Sequence, residues 1–413
     1  MAGKLCNLTK AEVHWPVNNM PKPYIIYLSP YDILRPRTNQ VSDVRFTEGF
    51  AQNGCHTHLI VPFVQRKDNI HKDEVHNTYG LKSSLHIHYL PTKFINDVYG
   101  KRQLLEVTWY AIRKTISILR QRHHPSKTYI ISRSTHLLRP FFILRKILPG
   151  IFKNVSIIHW AHDFHRSASH RSVYRKSDFL LATNSSILND LLNSVSRSQN
   201  EGSITLNPIT DSQATEVISK NEAKKETQLE KIATPIIAYT GKLGKNYDKE
   251  IKFILGAAKL LPQYTFLFTG GKPDAVQFWE DYCHGQGLKN IIFTGYIHDY
   301  RKIRYYQQAA DVLVSYYTHQ GHDIRYNLPN KLCEYMLTGN IIITPNYPAT
   351  SDLLNDNNCI FTKPEDSGAL AKSISDAINF PDISSEKAKQ AASDVREITF
   401  KKVTARLIEQ FPQ

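Results

Sequence analysis

Short β-branched runs alternate with stretches of helical period along the whole chain, and that alternation leaves few folds open. In the first half the strand candidates are Tyr24–Ser29, His56–Val61, Leu85–Tyr89, Thr128–Ser132, Val155–His159 and Asp178–Ala182, with helical stretches at Val41–Gln52, Leu104–Arg122 and Ser185–Leu192. In the second half the strands read Ile236–Thr240, Thr265–Thr269, Asn290–Thr294, Asp311–Tyr316, Ile341–Thr344 and Cys359–Phe361. After the first of these, Ile251, Ile254, Leu255, Ala258 and Leu261 form one apolar stripe, with Asp248 suited to cap the helix and Pro262 following its end. Strands and helices in this order build parallel sheets covered on both faces, so the fold class is α/β. The segment Ile209–Thr234 is rich in Ser, Thr, Lys, Glu and Gln and reads as a surface connection, with one exposed helix around Ala223–Lys231. The 413 residues are about two ordinary domains' worth of chain. The expectation is two doubly wound, Rossmann-like domains facing a central cleft: residues 1–208 (with 1–22 irregular) and 235–395, joined by the linker 209–234. Ligands of such sheets bind beyond the carboxyl ends of the strands.

The charge is less ordinary. Lys and Arg number 52 against 37 Asp and Glu, a formal +15. Much of the excess lies in the first half, as in Arg113, Lys114, Arg120, Arg122, Arg139, Arg145, Lys146, Lys153, Arg166, Arg171, Arg175 and Lys176. A diphosphate cleft accounts for a few of these; the rest suggest an anionic surface as partner, or simply a solvated basic face. Nucleic acid ranks last, because the cations are not interleaved with a stacking platform or a known module. The cysteines (Cys6, Cys55, Cys283, Cys333, Cys359) show no CxxC spacing and read as reduced thiols. The N-terminal stretch is polar, without the apolar core of a signal segment, and no apolar run approaches the ~20 residues of a membrane span. The expected setting is cytoplasmic, with at most peripheral contact at the inner face of an anionic membrane.

The densest local signal is Leu328-Pro329-Asn330-Lys331-Leu332-Cys333-Glu334-Tyr335-Met336-Leu337-Thr338-Gly339 before the strand at Ile341. Pro329 suits a helix start and Gly339 its stop. A helix start attracts phosphate through its free N–H groups, and Lys331 stands there. Glu334, three residues on, offers a carboxylate to both hydroxyls of a ribose; the bland alternative is a surface Lys–Glu pair. Glycines recur at strand ends: Gly241-Lys242-Leu243-Gly244-Lys245, Gly270-Gly271 and Gly295-Tyr296. Each alone is an ordinary turn. Together they form a basic, glycine-lined rim where Lys242 and Lys245 can meet a diphosphate and a base can lie against the backbone at Gly295-Tyr296. The GxxxxGK[ST] spacing of a P-loop is missing.

These motifs, with Ala310-Asp311-Val312-Leu313-Val314, resemble in order and spacing the C-terminal domain of the large GT-B family of retaining glycosyltransferases called group 1 or family 4. The resemblance covers Ile236 to Phe380 and, more weakly, Tyr24–Pro62; Ile398–Phe411 resembles the closing helix that crosses back to the first domain, giving residues 396–413 that role. It implies a nucleoside diphosphate sugar as donor, Lys242 with a second lysine (Lys245 or Lys249) on the leaving diphosphate, and Glu334 on the donor ribose. Tyr326 stands where the family's first carboxylate of E-x7-E would be. Tyr317, His319, His322 and Asp323 are then candidates to hold the transferred sugar. The loop Ser29–Asn39, which would lie across the cleft near donor phosphate and acceptor, lacks the glycines of many relatives.

His159-Trp160-Ala161-His162-Asp163-Phe164-His165 follows a strand. His-x2-His-x2-His in an irregular loop is not a recognised zinc spacing, so no metal is expected. Similar enzymes carry a His-Asp here facing the sugar, which makes His162 the candidate for the reaction centre. The family resembles front-face displacement, which needs stabilisation of the leaving diphosphate more than a dedicated base, and no cofactor. The implied function is transfer of a hexose-type sugar to a glycan or lipid-linked acceptor, in cell-surface polysaccharide or glycolipid synthesis. A GT-B-fold binding protein without catalysis is the alternative, favoured by Tyr326.

Overall fold

A computed structural model describes residues 22–33, 38–64, 73–81, 85–92, 101–122, 126–244, 248–318 and 323–412. The chain divides into two compact units, one built on residues up to Thr205 together with the segment from Phe400, the other on Leu206–Thr399.

Among the described residues the first unit holds seven strands: β1 (Tyr24–Leu28), β2 (His56–Val64), β3 (Leu85–Thr92), β4 (Thr128–Ser132), β5 (Val155–Ala161), β6 (Phe179–Ala182) and β7 (Gly202–Ile204). They run parallel in the order β3-β2-β1-β4-β5-β6-β7. Its helices are α1 (Thr38–Gln52), α2 (Asp73–Tyr79), α3 (Lys101–Gln121), α4 (Thr135–Ile147), α5 (Ala168–Lys176) and α6 (Ser185–Ser194). Central strands β1, β4 and β5 are buried at every residue, which is why they read as continuous apolar runs rather than alternating ones. One core joins Ile26, Leu28, Ile130 and Ile157 of the sheet to Val107 and Ala111 of α3, Phe141 and Phe142 of α4 and Val173 of α5.

In the second unit, α7 (Asp211–Thr215) and α8 (Lys220–Glu226) precede β8 (Ile236–Thr240), α9 (Asp248–Leu260), β9 (Thr265–Thr269), α10 (Pro273–Gly285), β10 (Ile291–Gly295), α11 (Tyr300–Ala309) and β11 (Val312–Val314). Then come α12 (Lys331–Thr338), β12 (Ile341–Pro345), β13 (Ile360–Thr362), α13 (Ser367–Asn379) and α14 (Pro381–Arg396). This sheet is parallel too, ordered β10-β9-β8-β11-β12-β13. The apolar stripe of α9 packs with Trp279 of α10 and Leu370 of α13 into its core. The last helix, α15 (Phe400–Gln410), belongs to the first unit, where it packs on α1 so closely that a Cβ at Gly49 would meet the Phe400 carbonyl at 2.7 Å.

The segment 209–234, expected as a surface connection, contains α7 and α8. The latter packs on α11 through buried Ala223, and Lys220 pairs with Asp311 at 2.7 Å. Four cysteines (Cys55, Cys283, Cys333 and Cys359) are buried and free; Cys6 lies outside the described residues.

Candidate functional site

The rim forms at the carboxyl ends of β8, β9 and β10. Backbone bonds stitch it: Gly241 N–H donates to the Thr269 carbonyl at 2.9 Å, and Gly270 N–H to the Gly295 carbonyl at 3.0 Å. At Gly270 φ is +128°, and an added Cβ would lie 1.9 Å from the Gly241 carbonyl oxygen. Only glycine lets these two loops approach so closely.

Beside the rim opens a pocket of about 260 Å³. Tyr239, Gly241 and Lys242 line it from the end of β8, Glu250 from α9, Tyr317 from beyond β11, and Asn327, Pro329, Asn330 and Lys331 from the start of α12. Lys331 Nζ donates to the Thr240 carbonyl at 3.2 Å and sits 3.9 Å from the centre of the Tyr239 ring and 5.0 Å from that of Tyr317. Burial pushes its ammonium down to about 7, against the pull of Glu250 and Glu334. Burial likewise lifts Glu250 to about 7, opposed by Lys331 and a hydrogen bond from the Thr318 backbone. Asn330 at the N-cap makes no side-chain capping bond; Leu332 N–H donates to the Pro329 carbonyl at 3.1 Å, and the other N–H groups of the first turn can face an anion. Pocket and helix start together form a positive, partly desolvated cradle.

The helix is held in place from beneath. Tyr335 accepts from Thr240 N–H at 2.8 Å, tying α12 to the end of β8. Glu334 turns the other way from Lys331: Oε1 accepts from the Tyr300 hydroxyl at 2.8 Å and Oε2 from Gln307 Nε2 at 2.9 Å. Gln213 Nε2 donates in turn to Tyr300 at 2.8 Å. The surface Lys–Glu pair is thereby replaced by two side chains with separate partners. Burial raises the Glu334 pKa, while Gln307 and Tyr300 support the charged form.

The structure thus brings Gly241, Lys242, Asn330 and Lys331 into one pocket. Gly270 and Gly295 border it through the rim, and Glu334 sits one turn deeper on α12. Tyr296 is 62% exposed, edge-on to His298 at 4.7 Å, and does not line the pocket. Lys245, His319 and His322 lie outside the described residues. Among the proposed sugar contacts, Tyr317 lines the pocket, whereas Asp323 Oδ1 accepts the Arg325 N–H at 3.0 Å in its own turn. Tyr326 receives a hydrogen bond from the Arg325 guanidinium, which lies over its ring.

His162 belongs to the first unit, just past β5. Arg133 reaches its Nε2 at 2.8 Å. Arginine offers no acceptor, so Nε2 accepts and the proton sits on Nδ1. Burial, then the Arg133 cation and His159, hold this imidazole well below its ordinary pKa. The arginine is itself fixed: its Nε lies 2.9 Å from the fully buried Asp43, and its guanidinium 4.9 Å from the Trp160 ring. Asp43 also accepts from Tyr27 at 2.8 Å and Ser29 at 2.6 Å. The Arg133 contact assigns the His162 ring proton to Nδ1. The motif's other histidines diverge, His159 Nδ1 bonding the Ser132 carbonyl at 3.2 Å and His165 lying 4.7 Å from His170. Among the described residues no three His, Cys, Asp or Glu side chains are placed to hold a metal ion.

Sequence reasoning missed Asp43, Arg133, Glu250, Tyr300 and Gln307. Glu250 left a signal, an acid in the first turn of the helix behind the glycine loop. The others are joined across long stretches of chain and left none.

Residues 234–379 match the model of the family described as glycosyl transferases group 1. No curated protein sequence matches the chain. In fold the chain is similar to HepE of Anabaena in complex with UDP, at 13% identity and TM-score 0.67 over 94% of this chain and 98% of that one. It is similar also to a glycosyltransferase of Rickettsia africae (12% identity, TM-score 0.67, 95% and 98% covered). A third likeness is sucrose-phosphate synthase of Thermosynechococcus elongatus (15%, TM-score 0.67, 94% and 98%). The fold is that of the GT-B glycosyltransferases.

Proposed function

From the premise that residues 234–379 form a domain of the glycosyl transferases group 1 on a GT-B fold, we propose that the protein moves a hexose-type sugar from a nucleoside diphosphate sugar to a glycan or lipid-linked acceptor. The observation that carries this reading is the pocket where Lys242, Lys331 and the start of α12 converge. A diphosphate there meets a helix start and two lysines, one of them largely desolvated. HepE, similar in fold, is described with UDP and with UDP-glucose, so a uridine nucleotide is the first donor to try.

In the transfer the bond from the anomeric carbon to the leaving phosphate oxygen breaks and a bond to the acceptor oxygen forms, with retention. The acceptor's proton passes to the departing phosphate. Lys242, Lys331 and the α12 donors stabilise the charge that develops there, with no call on a metal or cofactor. Glu334 takes the ribose hydroxyls on lone pairs left beside its Tyr300 and Gln307 bonds. His162 donates from Nδ1 to a sugar hydroxyl. Work in the cytoplasm, at the inner face of a membrane, and a role in polysaccharide or glycolipid synthesis belong to the same proposal. Among the described residues no helix is long and apolar enough to cross a membrane. Tyr326 supports a second reading, a binding protein without turnover.

The test is melting of the full chain with a panel of nucleoside diphosphates and their sugars, for wild type and Glu334→Gln. A ligand that binds the native state raises the melting temperature by mass action. One nucleotide should shift wild type without added metal, and the variant should need roughly 10-fold more of it, as loss of a charged hydrogen bond implies. No shift with any nucleoside diphosphate sinks both readings; a shift without donor turnover leaves the binding protein.

A further inference from the structure

The net positive charge is not spread over the molecule. Residues 101–177 hold sixteen Lys and Arg against two Asp and Glu, so this stretch carries +14 of the chain's +15. It contains α3, α4 and α5, which pack side by side on one face of the first sheet. Their inner residues fill the core, leaving the opposite faces as the outer layer of that unit. On α3, Leu105 and Trp109 stand one turn apart at 70% and 60% exposure, with exposed Arg113 a turn further and Arg120 beyond. On α4, Ile143 and Ile147 repeat the pattern at 61% and 66%, beside exposed Lys146. Exposed Arg171 and Arg175 of α5 continue the basic face.

We propose that the outer layer of α3, α4 and α5 is the face by which this protein docks on an anionic phospholipid surface. Charge alone would equally suit a soluble polyanion. Aliphatic side chains held out among the cations decide between the two: leucine and isoleucine gain nothing from a phosphate backbone, but gain by entering the acyl boundary, and Trp favours the headgroup level. Helices lying on a membrane combine a basic surround with such apolar residues, and their binding falls with salt. The proposal rests on the transfer reading for what the membrane supplies, a lipid-linked acceptor; the docking itself is independent of the donor pocket.

The experiment is co-sedimentation of the full chain with vesicles of phosphatidylcholine alone and of phosphatidylcholine with phosphatidylglycerol, at low and high salt. Binding is expected to the anionic vesicles only, weakened by salt. Each lost cation should weaken it about fivefold, so Arg113→Glu with Arg120→Glu weakens it by more than about 30-fold. Leu105→Ser with Trp109→Ser should weaken it roughly 10-fold or more while leaving the melting temperature in place. Absence of binding to anionic vesicles overturns the proposal. So does binding that the Leu105 and Trp109 substitutions leave unchanged and dextran sulfate abolishes, which identifies a polyanion site. Nucleotide-dependent melting in the same samples separates the two proposals: vesicle binding without a nucleotide shift fails the transfer reading alone.

Discussion

Burial sets the protonation of the two side chains that matter most at the residue scale, Lys331 and His162. Burial pushes Lys331 down to about 7, which brings its amine into titration range near neutrality. A diphosphate favours the ammonium and raises that pKa again, and it favours protonation of neighbouring Glu250 too. Nucleotide binding is therefore expected to take up protons near neutrality. Affinity should fall as pH rises through about 7, by at most about tenfold per pH unit for each proton. Calorimetry in buffers of different ionisation enthalpy measures the uptake directly, and Lys331→Met should reduce it. In the first unit burial, and after it the Arg133 cation, holds the His162 imidazole neutral. Arg133→Met, paired with Asp43→Asn so that no buried carboxylate loses its counter-ion, frees that imidazole to protonate. At saturating donor, the acid limb of the pH–rate profile should then lie at higher pH in the double variant than in wild type, still below the ordinary histidine value of about 6.5 because burial remains.

At the scale of elements, legibility followed burial. Ile236–Thr240 and Thr265–Thr269 were readable to the residue, because fully covered parallel strands must be continuous apolar runs. Helix α4 was not, since Pro140 inside it breaks the expected pattern. Nor was the docking of α8, a polar helix held by Lys220–Asp311 and by buried Ala223 rather than by an apolar stripe. The site divides in the same way. Gly270, Gly241 and Lys331 announce themselves by type and spacing, whereas the Asp43–Arg133–His162 chain exists only once β1, β4 and β5 lie side by side. Gly270→Ala is expected to force the loops after β8 and β9 apart, since the new methyl would meet backbone at 1.9 Å. It should cost nucleotide affinity and about 1–3 kcal/mol of stability, read by denaturant unfolding. Edge strand β3 and its neighbour β2 supply a pH effect. His58 and His88, their rings linked at 2.9 Å, are held at about 4 and about 3, mainly by burial and also by Lys114. Their stability contribution is complete above the unfolded value of about 6.5 and is lost as pH falls toward the folded values. Melting temperature should drop on acidification, and less steeply in His58→Asn with His88→Asn.

For the whole molecule, donor chemistry and charge reside in different units. The pocket is built on Leu206–Thr399, while nearly all the net charge lies on α3 to α5 and their connections in the other unit. Substitutions on the basic layer should accordingly leave nucleotide affinity unchanged, and substitutions at α12 should leave vesicle binding unchanged. The most direct test of the central claim is hydrogen exchange of the full chain with and without whichever nucleoside diphosphate raises its melting temperature. Slowed exchange is predicted at Gly241–Leu243 and over the first turn of α12, from Lys331 to Glu334. Protection absent from both segments at saturating nucleotide would contradict the assignment of this pocket as the donor site.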